Sequence, residues 1–282
     1  MEKVKITTDS VCDLSPDILK RLDVPIISLH VILGEDDFSD GVNIVPEDIF
    51  KFVEKTGTLP KTSMCSVAEY EEFYEKYLED YDTLVMYSIS SKCSASYQNA
   101  CIAAEKYEGR VFNVDSAHLS TGQGLMVMKA CDWRDEGCSA AEIVERSEAL
   151  KSKIQTSFVV DTTEYLYKGG RCTAAERAAT KLLSIHPSIH MVDGELGVKG
   201  KYRGNLKRCI LKYVEDLARE FTTYDKSRVF VTHSMCEPEV VEAVKALVKE
   251  KFSFDEVIET YAGSVVTSHC GQGTLGVLFI TE

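Results

Sequence analysis

Short runs of β-branched and aliphatic residues alternate along this chain with longer segments in which apolar residues recur at helical spacing. Runs of the first kind are typical of strands, and segments of the second kind are typical of amphipathic helices. The pattern predicts strands over residues 4–8, 25–33, 83–89, 110–114, 157–160, 189–192, 228–232 and 275–281. It predicts helices over residues 16–22, 46–55, 67–81, 96–107, 122–134, 140–153, 174–184, 205–221 and 238–252. This alternation indicates an α/β protein.

Strands separated by helices are joined most simply by crossovers, so we expect largely parallel sheets. With 282 residues, the chain is long for one domain. No Pro/Gly-rich linker or internal repeat marks a boundary, and the weak candidate is the polar helix end near residues 152–156. We therefore predict two α/β domains, residues 1–155 and 156–282, with a ligand crevice between them.

The charge balance argues against some partners. The chain has 45 acidic and 32 basic residues, for a net charge of −13. Such a field opposes docking on nucleic acid or anionic lipid, so we expect no nucleic-acid partner. The densest basic segment, residues 199–208, is typical of a solvated helix face, and a patch for an acidic protein surface is the alternative.

Membrane insertion is also not expected. No stretch reaches the run of roughly 18 apolar residues that a membrane helix needs. The first residues form a strand pattern without an apolar leader, which predicts a cytoplasmic location. The ten cysteines include no Cys-x-x-Cys pair and no zinc-like Cys/His spacing. Free thiols and no metal site are therefore expected.

Two hydroxyl-rich segments are candidates for binding an anion. Residues 60–63 (Pro-Lys-Thr-Ser) precede a capping box formed by Ser66 and Glu69. Residues 90–97 stand between a predicted strand and a predicted helix. Unpaired helix-terminal amides together with hydroxyl donors can hold a carboxylate or phosphate. The alternative is that these hydroxyls only cap helices.

Two further segments carry groups that suit an anion. Arg171 follows the double glycine at 169–170, and its guanidinium presents a fixed fork of donors. The alternative is a surface arginine after a helix end. Residues 263–276 are rich in small residues and contain His269, which could donate to an anion. Structural glycines with a satisfied histidine are the alternative there.

Acidic residues follow the first predicted strand. Asp9 and Asp13 could be imagined as metal ligands, but two short acidic residues without further ligands are a weak signal. A turn held by bonds from side chains to backbone is the preferred interpretation. The chain also lacks a Gly-x-Ser-x-Gly elbow and a His-Glu-x-x-His helix.

Taken together, these motifs resemble the DegV family of fatty-acid-binding proteins. The resemblance covers nearly the whole chain, and it is specific because several weak motifs occur in one order and spacing. The motifs are Thr8-Asp9-Ser10, Pro60-x-Thr62-Ser63, Ser91-x-x-Ser94-x-Ser96-Tyr97, Val114-Asp115-Ser116, Gly169-Gly170-Arg171 and His269-x-Gly271-x-Gly273.

The resemblance implies two α/β domains with a long-chain fatty acid, such as palmitate, in a tunnel between them. It implies that the hydroxyls of Thr62 and Ser94 hold the carboxylate. Family members include the lipid-presenting subunit of bacterial fatty acid kinases, so a kinase partner and a non-catalytic, cofactor-free carrier are implied. The residues implied near the head group, where a phosphate can be added, are Ser63, Ser96, Arg171 and His269.

The chain departs from the family pattern in three places. Residues 93–96 are Cys-Ser-Ala-Ser, where Leu-Ser-Gly-Thr is usual. Gln272 stands where a proline is usual, and His186 stands where a lysine is common. Because Ser96 keeps a hydroxyl and Ala95 adds only a methyl group, we expect the hydroxyl-rich turn to persist.

Two other function classes remain open at this point. One is a serine acyl hydrolase or acyltransferase with Ser94 as nucleophile and His269 as base, against which the missing nucleophile elbow counts. The other is a lipid-responsive regulatory protein that carries out no chemistry.

Overall fold

The computed structural model describes residues 2–173 and 184–282. The helix predicted over 174–184 therefore lies outside the described residues, apart from Ser184. The strands are β1 Val4–Asp9, β2 Ile26–Ile27, β3 His30–Leu33, β4 Asp36–Ser39, β5 Lys61–Ser63, β6 Thr83–Ser88, β7 Val111–Asp115, β8 Ile154–Gln155, β9 Ser157–Val159, β10 Ile185–Val192, β11 Glu195–Arg203, β12 Val229–Ser234, β13 Val257–Tyr261 and β14 Thr274–Ile280. The helices are α1 Pro16–Leu22, α2 Pro46–Thr56, α3 Val67–Leu78, α4 Ser96–Ala104, α5 Thr121–Asp135, α6 Ala140–Leu150, α7 Glu164–Lys168, α8 Leu206–Glu220, α9 Pro238–Lys251 and α10 Ser264–Cys270.

The first sheet is parallel, in the strand order β2-β1-β6-β7. Its central strand β6 is buried on both faces. Leu84 and Met86 face the core formed with α3 and α4, whereas Val85 and Tyr87 face the core formed with α5 and α6. This near-continuous apolar strand, covered by helices on both sides, is what a parallel sheet requires. The predicted α/β class is confirmed.

The second large sheet corrects the expectation of largely parallel strands. Its order is β11-β10-β9-β14-β12-β13, with β8 also paired to β14. Among these described pairs, only β12 and β13 run parallel. A short connection accounts for the antiparallel β10–β11 pair, because antiparallel neighbours need only a tight turn. The β10–β11 hairpin turns through Asp193 and Gly194, both at positive φ (50° and 83°). Asp-Gly is a strong signal for such a turn.

The hairpin also corrects the interpretation of residues 199–208 as a helix face. Lys199 and Arg203 lie on β11, an edge strand, and only the end of the segment enters α8. Lys199 pairs with Glu220, so part of the basic charge is neutralised within the chain. Lysines on an edge strand also discourage pairing with another strand.

The two large sheets are built from separate parts of the chain, which agrees with an organisation in two halves. The parallel sheet uses strands between Val4 and Asp115, and the larger sheet uses strands between Ile154 and Ile280. The division at residue 155 stays a prediction. Across the described residues, no helix is both long enough and apolar enough to span a bilayer.

Candidate functional site

A cavity opens where the two halves of the chain meet. Val11 and Ile89, which follow the carboxyl ends of β1 and β6, line it. This is the edge where parallel sheets bind ligands. Its polar lining residues are Thr62, Ser63, Ser94, Arg171 and His269. Much of the remaining wall is apolar and includes Leu29, Leu119, Phe158, Val265 and Val266.

Thr62 reaches the cavity from a small antiparallel sheet of order β4-β3-β5, in which it pairs with Val31. Its Oγ1 lies 2.8 Å from His269 Nε2. His269 comes from α10, a short helix within the segment that the sequence showed only as rich in small residues. The two halves of the chain are therefore joined by a hydrogen bond at the polar end of the cavity.

The ring of His269 is neutral at physiological pH. Burial, together with the nearby positive charge of Arg171, lowers the pKa of His269 to about 4. Nδ1 is buried and has no hydrogen-bond partner among the described residues. A buried N–H group without an acceptor costs more free energy than a buried nitrogen lone pair without a donor. We therefore leave the unpaired Nδ1 unprotonated and assign the proton to Nε2. His269 then donates to Thr62 Oγ1, and the Thr62 hydroxyl keeps its own proton for a group in the cavity.

Gly169 explains how this ring fits. A Cβ atom built on Gly169 would lie 2.3 Å from His269 Nδ1, which is far inside contact distance. The backbone conformation of Gly169 is an ordinary helical one, with φ −75°. Glycine is therefore required at this position for space and not for its backbone freedom.

Arg171 holds the two halves together through backbone carbonyls. Its Nε and Nη2 donate to the Cys93 carbonyl oxygen at 3.2 and 2.9 Å, and Nη1 donates to that of Gly169 at 2.6 Å. Within residues 2–173 and 184–282, it forms no ion pair with a carboxylate. The polar end of the cavity therefore carries a positive charge that the described residues do not neutralise, and this favours an anionic ligand.

Ser94, predicted to hold the carboxylate, and Ser63 and Ser96, predicted near the head group, differ in their access to the cavity. Ser94 lines the cavity, and its Oγ lies 2.9 Å from Ser96 Oγ and accepts a bond of 3.2 Å from the Ser96 amide. Ser96 is fully buried behind it and does not line the cavity. Ser63 is exposed at the mouth, with its hydroxyl donating to the Met64 carbonyl. Ser94 thus both supports the start of α4 and faces the cavity.

The hydrogen bonds do not build a Ser94–His269 dyad. His269 Nε2 is engaged by Thr62, and Ser94 is engaged by Ser96. A histidine whose pKa lies near 4 is also a weak general base at neutral pH. The hydrolase interpretation therefore lacks its central contact.

Acidic residues near the cavity serve as anchors for backbone. Asp9 accepts bonds from the Val11 and Ile89 amides at 3.1 and 2.8 Å, which confirms the turn interpretation. Burial raises the pKa of Asp9 to about 6. No cluster of three or more His, Cys, Asp or Glu suited to a metal ion occurs in the described part of the chain.

Two other carboxyl groups of the first half fix the start of α10. Asp13 Oδ1 accepts the Gly263 amide at 2.8 Å, and Asp40 Oδ1 accepts the Ser264 amide at 2.7 Å. These are amides that a helix N-terminus leaves unpaired. Burial raises the pKa of Asp13 to about 8 and also raises that of Asp40. The sequence analysis noted Asp13 and missed Asp40.

Sequence reasoning missed the apolar wall and the need for a residue without a side chain at Gly169, which leaves room for the His269 ring. Leu29, Leu119, Phe158 and Val266 come from separate elements, so no periodicity within one element groups them. The available signal was weaker: Val11 lies three positions after the predicted strand 4–8, and Ile89 is the last residue of the predicted strand 83–89.

Comparison with known proteins matches this architecture. A model of the DegV family (uncharacterised protein, DegV family COG1307) matches residues 3–282. A fatty acid-binding protein of Thermotoga maritima is 33% identical over 280 residues, which cover 97% of this chain and 96% of that protein. A DegV domain-containing protein of Caldanaerobacter subterraneus subsp. tengcongensis is 30% identical over 282 residues, 99% of both chains.

Solved structures show the same fold. A fatty-acid-binding DegV family protein of Thermus thermophilus superposes with a TM-score of 0.89 at 30% identity, covering 99% of this chain and 100% of that chain. The Fatty Acid Kinase (Fak) B3 protein of Streptococcus pneumoniae, loaded with linoleic acid, superposes with a TM-score of 0.85 at 19% identity, covering 99% and 100%. At that identity the second match shows the fold alone. The family model, the relatives and the shared fold together establish that this chain belongs to the DegV family.

Proposed function

We propose that this protein binds a long-chain fatty acid in the cavity and presents its carboxylate to a fatty acid kinase. The observation that carries the proposal is the charge of Arg171, which forms no ion pair with a carboxylate of the described residues and lies with the hydroxyls of Thr62 and Ser94 in an otherwise largely apolar cavity. An amphiphile with one anionic end matches that arrangement. Relatives from Thermotoga maritima and Thermus thermophilus, which are described as fatty-acid-binding, support it.

Thr62 and Ser94 hold the carboxylate in this proposal. The Thr62 hydroxyl is oriented as a donor by His269, and Ser94 supplies a second hydroxyl. About fourteen buried methylenes at ~0.8 kcal/mol each contribute on the order of 11 kcal/mol before entropy costs. A hydrogen bond to a charged group contributes only ~1.5–3 kcal/mol. The acyl chain therefore supplies most of the affinity, and the hydroxyls decide which end faces outward.

A kinase partner is supported by the fold shared with the Streptococcus pneumoniae Fak B3 protein. Arg171 is placed to balance the negative charge that an acyl phosphate adds, while Ser63 lies exposed at the mouth. The protein is a carrier in this scheme and needs a separate phosphoryl-transferring enzyme but no cofactor of its own. Its ten cysteines suit the reducing cytoplasm.

Native mass spectrometry of the purified protein, followed by denaturing extraction and lipid identification, tests the proposal. We expect one fatty acid per chain. Incubation of the loaded protein with a bacterial fatty acid kinase and radiolabelled ATP should then give acyl phosphate. Ser94→Ala should reduce binding modestly and phosphate acceptance more. A protein that is empty and also ignores added oleate and palmitate overturns the proposal. Lipid binding without phosphate acceptance favours a regulatory role.

A further inference from the structure

A second cavity lies beyond the first. Leu119, Phe158, Val266 and Cys270 line both cavities, so the two spaces are neighbours across these side chains. None of the polar residues that mark the head-group end lines the second cavity. The second cavity therefore extends the site away from Arg171 and deeper into the protein.

The second cavity suits hydrocarbon, although several of its lining residues carry hydroxyls. Thr232 Oγ1 bonds with Thr121 and Thr260 at 2.6 and 2.8 Å. Thr274 Oγ1 donates to the Cys270 carbonyl at 2.9 Å. These hydroxyls are satisfied within the protein and present mainly methyl groups to the space. An apolar chain end gains from burial there, whereas a charged group would find no free donor among these threonines.

His233 closes the far side of this cavity. Among the residues that the structure describes, it is the one that lines both the second cavity and an outer groove, and only 3% of its surface is exposed. Its Nδ1 faces the Cys236 amide at 3.4 Å, and its ring lies 4.6 Å from that of Tyr261. Its Nε2 lies 3.5 Å from Glu259 Oε1, beyond a good hydrogen bond. His233 therefore borders both the second cavity and the outer groove.

The outer groove is unsuited to a carboxylate. Glu237, Glu242 and Glu259 line it, and Lys245 pairs with only the last two. An anionic head group is repelled from this side, so a fatty acid would reach His233 with its methyl end.

We propose that His233 is the end wall of the acyl-chain site and sets the longest chain that this protein accepts. This inference rests on the proposed fatty-acid binding. Replacing the imidazole by a smaller side chain joins the second cavity to the outer groove, so a longer chain can continue past this position. A larger ring shortens the site.

The test compares His233→Ala and His233→Trp with the wild-type protein in titrations with saturated fatty acids of increasing length. For chains longer than the wild-type optimum, His233→Ala should bind more tightly than wild type, by about fourfold for each added methylene that becomes buried. His233→Trp should move the optimum to shorter chains. Glu237→Ala, which alters only the outer groove, should keep the wild-type profile.

Circular dichroism and thermal melting establish that each variant is folded. If folded His233→Ala keeps the wild-type optimum and affinities, the inference is wrong, whether or not His233→Trp folds. That result leaves the proposed function intact, because the wild-type protein still binds. If the wild-type protein binds no chain of any length, the proposed function itself fails. The two failures are thereby distinguished.

Discussion

Thr62 Oγ1 and His269 Nε2 lie 2.8 Å apart although 207 positions separate the two residues along the chain. The contact joins an edge strand of a small sheet to a seven-residue helix. Because the histidine is neutral and donates from Nε2, the threonine hydroxyl becomes an oriented donor toward the cavity. The contact thus orients a hydroxyl group at the polar end of the cavity.

Thr62→Val should weaken fatty-acid binding because it removes this donor and leaves the His269 N–H without a partner. The expected loss is about 1.5–3 kcal/mol, or roughly 10- to 150-fold in Kd. Displacement of a fluorescent fatty acid measures it. Thr62→Ser keeps the hydroxyl and should stay close to wild type. Equal affinities for the valine and serine variants would refute the assigned role.

Gly169→Ala should displace the His269 ring because the added methyl group would lie 2.3 Å from Nδ1. We expect weaker fatty-acid binding and a shifted His269 imidazole signal in NMR spectra. When His269 is already replaced by alanine, Gly169→Ala should reduce fatty-acid affinity little further, because the ring with which its methyl group would clash is absent. If the losses of affinity from the two substitutions simply add in the double variant, the steric explanation is wrong.

Arg171→Gln should remove the positive charge from the polar end of the cavity. The pKa of His269 should then rise from about 4, because the repulsion by Arg171 that helps to lower it is lost. An NMR pH titration of the imidazole measures the shift. Affinity for a fatty acid should fall more than affinity for its uncharged methyl ester. Arg171→Lys keeps the charge and serves as the control. An unchanged His269 titration in the glutamine variant would count against charge coupling.

Stability should depend on pH through Asp13. Its pKa is raised from 3.8 to about 8 in the folded protein, so the folded state holds the proton more tightly than the unfolded state. This contribution is complete below about pH 4 and is lost as pH rises through about 8. Asp9, with a pKa of about 6, acts in the same direction. Asp13→Asn mimics the protonated carboxyl, so its melting temperature should fall less than that of wild type between pH 5 and 8. If the melting temperatures of the two proteins fall by the same amount between pH 5 and 8, Asp13 does not cause the pH dependence of stability.

Much of the fold is predictable where local signals and burial agree. Helix α3 begins at the predicted capping box, in which Ser66 and Glu69 bond each other's backbone amides. Strand β6 is a long apolar run, buried on both faces. Strand β11 was missed because its exposed basic residues are as typical of a solvated helix face as of an edge strand. Helix α10 was missed because serine, threonine and valine are poor helix formers, and tertiary bonds fix its start.

The polar end of the site was easier to predict than its apolar interior. Thr62, Ser94, Arg171 and His269 stand in distinctive motifs, and the structure brings all four to one cavity. The cavity wall and its extension toward His233 depend on how separate elements pack. No local pattern in the sequence carries that information.

The start of helix α10 belongs structurally to the other half of the chain. Asp13 and Asp40 bind its first amides, so the segment carrying His269 is anchored before it reaches the larger sheet. A C-terminal fragment expressed alone would keep the residues of this helix but lose the acceptors that hold it in place. The binding site therefore needs both halves of the chain. Two separately expressed fragments should regain fatty-acid binding only when they associate with each other.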